Sequence, residues 1–154
     1  MESTLAKELV EQLQLLNKLS SEVKDSGFKY KDITTYKKKY TDVLKGLSKL
    51  IPQLKLKSLS EQAKEFLIVN VRLKSIQKFV GFLTVLIIIF FAIMFQLYII
   101  EEKTWMYVIT VLSVIVIFLV YRKIEKEIKL LSQDITTVEN VTSLIIKQLK
   151  TYSK

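Results

Sequence analysis

The chain contains no cysteine and no histidine, and it has little glycine or proline. Its 154 residues include three Gly and one Pro. Zinc centres, disulfide frameworks and Cys–His or Ser–His–Asp nucleophile systems therefore lack their ligands or bases. Dinucleotide-binding and P-loop motifs, which need several glycines in a short loop, do not occur. We therefore expect no cofactor, no metal site and no enzymatic activity.

The hydrophobic residues are separated from the charged ones along the chain. Half of the residues are hydrophobic and 25% are charged, yet the stretches 79–100 and 104–121 contain no charge. About 22 helical residues rise about 33 Å, which is enough to cross a hydrocarbon core of about 30 Å. The pattern predicts an all-α integral membrane protein in which residues 79–121 form a two-span transmembrane helical hairpin. Its outer turn would be residues 101–103.

The basic residues beside these stretches predict the orientation of the hairpin. The net charge is +9, and lysines and arginines stand just before the first span and just after the second. Because positive residues are retained on the cytoplasmic side, both termini are expected in the cytoplasm of a multi-pass protein of the cell (cytoplasmic) membrane. Contact with anionic lipid headgroups is expected for Lys37, Lys38, Lys39, Arg72, Lys74, Lys78, Arg122 and Lys123.

The run Lys37-Lys38-Lys39 would also suit the solvated face of a cytoplasmic helix. As a third interpretation, such lysines could bind the phosphates of a nucleic acid. Nucleic acid is not an expected partner, because the chain has no recognised nucleic-acid-reading motif and the neighbouring tyrosines fall on an apolar stripe.

The segments outside the hairpin carry apolar residues at helical spacing. Helices are predicted at about 3–24, 33–51 and 59–78 within a cytoplasmic segment 1–78, and a heptad helix is predicted over 122–154. Gly27 is expected to end the first helix, Asp32 to cap the second and Pro52 to stop it. The stripe of the second helix is Ile33, Tyr36, Tyr40, Val43, Leu47 and Leu50, and that of the last is Ile124, Ile128, Leu131, Ile135, Val138, Thr142, Ile145 and Leu149.

No helix breaker separates the third helix from the first span or the second span from the last helix. Two long helices are therefore expected to continue from the membrane into a cytoplasmic helical bundle or coiled-coil stalk. The apolar stripes could be covered within one chain or between chains, and the sequence alone leaves both arrangements open.

Polar residues inside the spans suggest either hairpin packing or a pore. Gln96 follows Gly81, Val85, Ile89 and Ala92 on one face of the first span. In an antiparallel hairpin Gln96 would lie at the depth of Thr110, and Ser113 at the depth of Ala92. Small and hydrogen-bonding residues at one depth favour close helix contact. Alternatively, the side chains that line an aqueous path would be Gln96, Thr110 and Ser113.

The outer turn and the heptads lead to two hypotheses about function. Glu101 and Glu102 would form a solvated turn in a single chain, or an acidic ring at the outer mouth of an oligomer. The first hypothesis is a non-enzymatic membrane-anchored scaffold that self-associates, or docks a membrane-protein partner, through its cytoplasmic heptad helices. The alternative is a small homo-oligomeric ion channel or pore.

Overall fold

The described chain is built from four α-helices and one 3₁₀ turn. A computed structural model describes the backbone of residues 2–54 and 57–152 and the side chains of 4–53 and 61–150. The helices are α1 (Glu2–Asp25), α2 (Tyr30–Leu50), α3 (Lys57–Ile99) and α4 (Lys103–Tyr152), and the 3₁₀ turn is Ile51–Leu54. The described residues contain no strand. The all-α prediction is confirmed, and α3 and α4 are long and apolar enough to cross a membrane.

The long helices are continuous, as the absence of a breaker predicted. α3 has 43 residues and α4 has 50. The chain divides into two compact units, and both long helices contribute to each. Unit 1 comprises Met1–Leu73 and Leu130–Lys154, and unit 2 comprises Lys74–Lys129. The sequence predicted that the hairpin begins after residue 78 and ends before residue 122. The boundaries between the two units lie outside that range, in the segments that were expected to be cytoplasmic.

Unit 1 has an apolar core supplied by all four helices. Each helix turns one stripe inward, and the six residues of the predicted α2 stripe are all buried. The stripes are thus covered within a single chain. Among the described residues the core consists of Leu9, Leu13, Leu16, Leu19 and Val23 of α1, Ile33, Tyr36, Tyr40, Val43, Leu47 and Leu50 of α2, Ile51 of the 3₁₀ turn, Phe66, Val69 and Leu73 of α3, and Leu131, Ile135, Val138, Ile145 and Leu149 of α4.

Polar side chains also link the helices of unit 1. The Tyr40 hydroxyl on α2 donates to the Phe66 carbonyl of α3 at 2.9 Å. Arg72 Nε on α3 donates to Asp134 Oδ2 on α4 at 2.9 Å. Lys24 on α1 pairs with Glu139 on α4. Through these contacts each helix of unit 1 is bonded to at least one other helix of the unit. Unit 1 is therefore a bundle of four helices.

The glycine that ends α1 was predicted correctly, but the N-cap of α2 was predicted wrongly. Gly27 has φ +69°, and the amide of Phe28 returns to the Val23 carbonyl at 3.3 Å, so α1 ends in a left-handed cap. The N-cap of α2 is Lys29 and makes no side-chain capping bond. Asp32 lies inside the first turn of α2, where its charge favours the helix dipole without capping it.

Unit 2 consists of two antiparallel helical segments with apolar exteriors. No residue of the most apolar window of α3 or of α4 is buried. Large apolar side chains are exposed on both segments, among them Phe91 at 65% and Val111 at 60%. At the end of the unit farther from the turn, Ile76 and Ile124 are buried.

Candidate functional site

The two segments of unit 2 meet along a narrow apolar seam. Thr110 Oγ1 on α4 lies 3.8 Å from Met94 Sδ on α3. Farther along, Ile89 and Ile117 line the same small cavity of about 170 Å³, which agrees with the antiparallel register expected from the sequence. The remaining residues that line this cavity are Leu86, Phe90, Ile93, Leu112, Ser113 and Val116.

The structure separates the three polar residues that the sequence grouped. Thr110 and Ser113 are partly covered on the seam between the segments, and the Thr110 hydroxyl donates to the Met106 carbonyl of its own helix at 2.8 Å. Gln96 is exposed. The residue that lies opposite Thr110 is Met94, where the sequence predicted Gln96. Within one chain, the expected contact of Gln96 with the second span is therefore not formed.

The acidic turn closes one end of unit 2. Ile100, Glu101 and Glu102 connect α3 to α4, and both glutamates are exposed. Glu101 has φ +57°, and the amide of Glu102 returns to the Leu97 carbonyl at 3.2 Å, so Glu101 fills a left-handed position that glycine usually takes. An open cleft of about 770 Å³ lies beside the turn and is lined by Met94, Tyr98, Ile99, Glu101, Lys103, Met106, Tyr107 and Thr110.

The basic residues form the opposite end of unit 2. Lys74, Lys78, Arg122 and Lys123 are all exposed there. The Lys123 ammonium lies 5.1 Å from the centre of the Phe79 ring, and the Arg122 guanidinium lies 6.0 Å from that of Phe118. Such contacts hold a cation against an aromatic face while leaving its other side free for water or for an anion.

The other predicted basic residues lie in unit 1. Lys38 and Lys39 are exposed on α2 and Lys37 is partly covered. Arg72 is tied to Asp134 and is therefore less available to a lipid headgroup than the sequence suggested.

The core of unit 1 contains the hydroxyl groups of two tyrosines, Tyr36 and Tyr40, that the sequence predicted as members of the apolar stripe of α2. Burial raises the pKa of Tyr36 above its usual value, the nearby Ser20 hydroxyl lowers it in part, and the charge of Glu139 raises it further. Burial also raises the pKa of Tyr40, and Tyr36 and Asp134 raise it further. These buried hydroxyls could have been predicted from the sequence, because tyrosines occupy two positions of the apolar stripe.

Four buried side-chain oxygens among the described residues have no hydrogen-bond partner. They belong to Asn17, Tyr36, Gln62 and Asn70. Of the predicted stripe on α4, Ile124 is buried and Ile128 is partly covered, both in unit 2, and the remaining residues are buried in unit 1.

Among the described residues no group of three or more acidic side chains is placed to hold a metal ion.

Comparison with protein-family models, with curated proteins and with solved structures finds no match to this chain.

Proposed function

We propose that this chain is a non-enzymatic, membrane-anchored helical scaffold that self-associates or docks a partner protein through its cytoplasmic bundle. The observation that supports this proposal is the contrast between the exteriors of the two units. Unit 1 buries an apolar stripe from each helix. The most apolar windows of α3 and α4 have no buried residue at all.

A bilayer is the environment that suits such an exterior. A helix in the core of a soluble protein would be covered by its neighbours, and monomeric soluble proteins rarely expose more than a few hundred Å² of contiguous apolar surface. Two hydrogen-bonded helices also leave no unsatisfied backbone group in the hydrocarbon apart from their ends.

The charges at the two ends of unit 2 favour one orientation. Lys78, Arg122 and Lys123 mark one end, while Glu101 and Glu102 mark the turn. The positive-inside rule puts the basic end in the cytoplasm and the turn outside. Anionic headgroups are then the expected partners of the basic end, at about 1 kcal/mol for each cation near the surface.

The scaffold is preferred to a pore because the structure divides the polar residues. An aqueous path needs polar side chains on one surface, yet Ser113 lines the seam inside the hairpin while Gln96 is exposed elsewhere. A pore would have to form from several chains around Gln96, with Glu101 and Glu102 at its mouth.

Cysteine accessibility and stoichiometry test this proposal together. The chain has no cysteine, so single-cysteine variants report one position each. In membranes, Ser113→Cys is expected to resist a water-soluble thiol reagent, while Glu102→Cys reacts as the matched exposed control. Native mass spectrometry in mild detergent is expected to show two copies or a complex with a second protein.

Two results would contradict the scaffold. One is rapid labelling of Ser113→Cys. The other is a ring of four or more copies that carries an ion flux weakened by Glu101→Gln or Glu102→Gln.

A further inference from the structure

A polar amide is exposed on the apolar exterior of unit 2. Gln96 is the one amide-bearing residue in the stretch 79–100, and its side chain is exposed on α3. None of the side-chain hydrogen bonds of the described residues involves it, although its backbone carbonyl accepts the amide of Ile100. If unit 2 lies in a bilayer, this side chain has neither water nor a protein partner in one chain.

Gln96 belongs to a face of α3 that does not contact α4. Gly81, Val85, Ala92 and Gln96 recur at helical spacing and all four are exposed, whereas Ile89, which the sequence grouped with them, lines the cavity on the seam with α4. We call these four residues the Gln96 face. A Cβ atom built on Gly81 would meet nothing within 4 Å, so the backbone there is open to close approach.

The contact with α4 uses a different side of the same helix. Leu83, Phe90, Met94 and Leu97 are each partly covered, and Met94 approaches Thr110 of α4. The Gln96 face is therefore a second surface of α3, distinct from the seam that forms the hairpin.

We propose that a second copy of this chain, inserted in the same orientation, packs its own Gln96 face against this one. This inference rests on the scaffold proposed above and specifies its surface. Copies with the same orientation place the two Gln96 side chains at the same depth. Because an amide both donates and accepts, each Gln96 can satisfy the other across a two-fold axis.

The small residues of the Gln96 face suit the same arrangement. In a membrane, helices associate through close packing and interhelical hydrogen bonds, and interfaces are enriched in Gly and Ala. Gly81 and Ala92 would let the two α3 backbones approach, with the Gln96 pair nearer the outer turn.

An exposed apolar cluster also lies on α3 in unit 1. Leu67 is 57% exposed, Val71 is 67% exposed, and Ile68 between them is exposed as well. Among the described residues of unit 1, the other exposed large apolar side chains are Leu15, Tyr30 and Leu144, which are far apart in the sequence. In water these three neighbouring side chains would be stabilised by a covering partner.

Cross-linking of neighbouring residues tests which side of α3 meets the second copy. Ala92→Cys lies on the Gln96 face, and Phe91→Cys is its matched control, because Phe91 is exposed and only one residue away in depth. With a membrane-permeant oxidant, Ala92→Cys is expected to form a covalent dimer much faster than Phe91→Cys. Equal rates for the two variants would overturn the proposed face.

Removal of the amide tests the role of Gln96 itself. Association is followed by energy transfer between labelled copies in vesicles of rising lipid-to-protein ratio. Gln96→Leu is expected to weaken association about 3- to 30-fold, and Gln96→Asn to retain part of it. Thr84→Val is the control, since the Thr84 hydroxyl already donates to the Val80 carbonyl of its own helix at 3.0 Å.

The outcomes separate this inference from the broader proposal. A wild-type chain that stays monomeric at every lipid ratio would overturn self-association and the Gln96 face together. If the wild-type chain associates and Gln96→Leu associates equally well, the Gln96 face is wrong while self-association stands. For unit 1, Leu67→Gln is expected to weaken association, whereas Leu15→Gln, its exposed counterpart on α1, is not.

Discussion

Replacing Ile135 with aspartate is expected to unfold unit 1. Ile135 has 0% exposure and lies in the core of the bundle on α4. Truncating a buried isoleucine to alanine costs about 2–5 kcal/mol, because both its burial and its packing are lost. An aspartate at the same place adds the penalty of a buried, unpaired charge, which is several kcal/mol more.

The total is comparable with the stability of the unit. A folded domain is stable by about 5–15 kcal/mol, so Ile135→Asp should leave unit 1 largely unfolded and Ile135→Ala should weaken it measurably. Thr136→Asp is the matched control, because Thr136 is exposed and its hydroxyl bonds within its own helix to the Ser132 carbonyl. Surface changes of this kind usually alter stability by less than about 0.5 kcal/mol.

Brief trypsin digestion of the full chain in membranes or detergent measures the effect. Unit 1 is rich in lysine, so an unfolded bundle is cleaved at many sites, while a folded one survives. Ile135→Asp should be digested rapidly, and Thr136→Asp should resist digestion as the wild type does. Protection of Ile135→Asp equal to that of wild type would contradict this prediction, because it would mean that this face of α4 is not in a core.

Three further predictions concern single groups. Tyr40→Phe should lower the stability of unit 1 by about 0.5–1.5 kcal/mol in chemical denaturation, because it removes the 2.9 Å hydrogen bond to the Phe66 carbonyl. Tyr36→Phe should cost less in the same assay, because the Tyr36 hydroxyl has no hydrogen-bond partner. Burial raises the pKa of both tyrosines, so above about pH 10 the unfolded chain loses these protons while the folded unit keeps them. The free energy of unfolding should therefore be unaffected by these groups below about pH 10 and fall as the pH rises further. Tyrosinate absorbance should therefore show two groups that ionise only when the bundle unfolds, and ionisation of all tyrosines in a folded bundle would contradict this. Glu101→Gly should stabilise the hairpin by about 1 kcal/mol in a detergent unfolding assay, because it relieves the left-handed backbone at φ +57°, whereas Glu102→Gly should give no gain.

The helices could be predicted from the sequence because their apolar spacing is regular. Six apolar positions on α2 identified its buried face, and the lack of a breaker identified two long helices. These features depend on local periodicity, which the three-dimensional packing did not overrule.

The details that escaped prediction depend on how helices rotate against each other. On α1, Gln12 occupies the heptad stripe of Leu9, Leu16, Leu19 and Val23, yet Leu13 beside it is the residue that is fully buried. Gln12 lies instead next to Gly46 of α2, where a Cβ atom would be only 3.4 Å from its Oε1 atom. In unit 2, the large side chains Phe90 and Met94 lie on the seam, and Gln96 is exposed on another side of α3. Periodicity alone does not determine which of two apolar faces contacts a neighbour.

Reagent access from the two sides of the cell membrane tests whether unit 2 crosses the membrane with unit 1 in the cytoplasm. A membrane-impermeant maleimide is applied to intact cells that express Glu102→Cys, at the turn, or Ser21→Cys, at an exposed position of unit 1. We expect Glu102→Cys to be labelled on intact cells and Ser21→Cys only after lysis. Labelling of Ser21→Cys on intact cells, or release of the protein from membranes by alkaline carbonate, would contradict a hairpin that spans the membrane with its bundle inside.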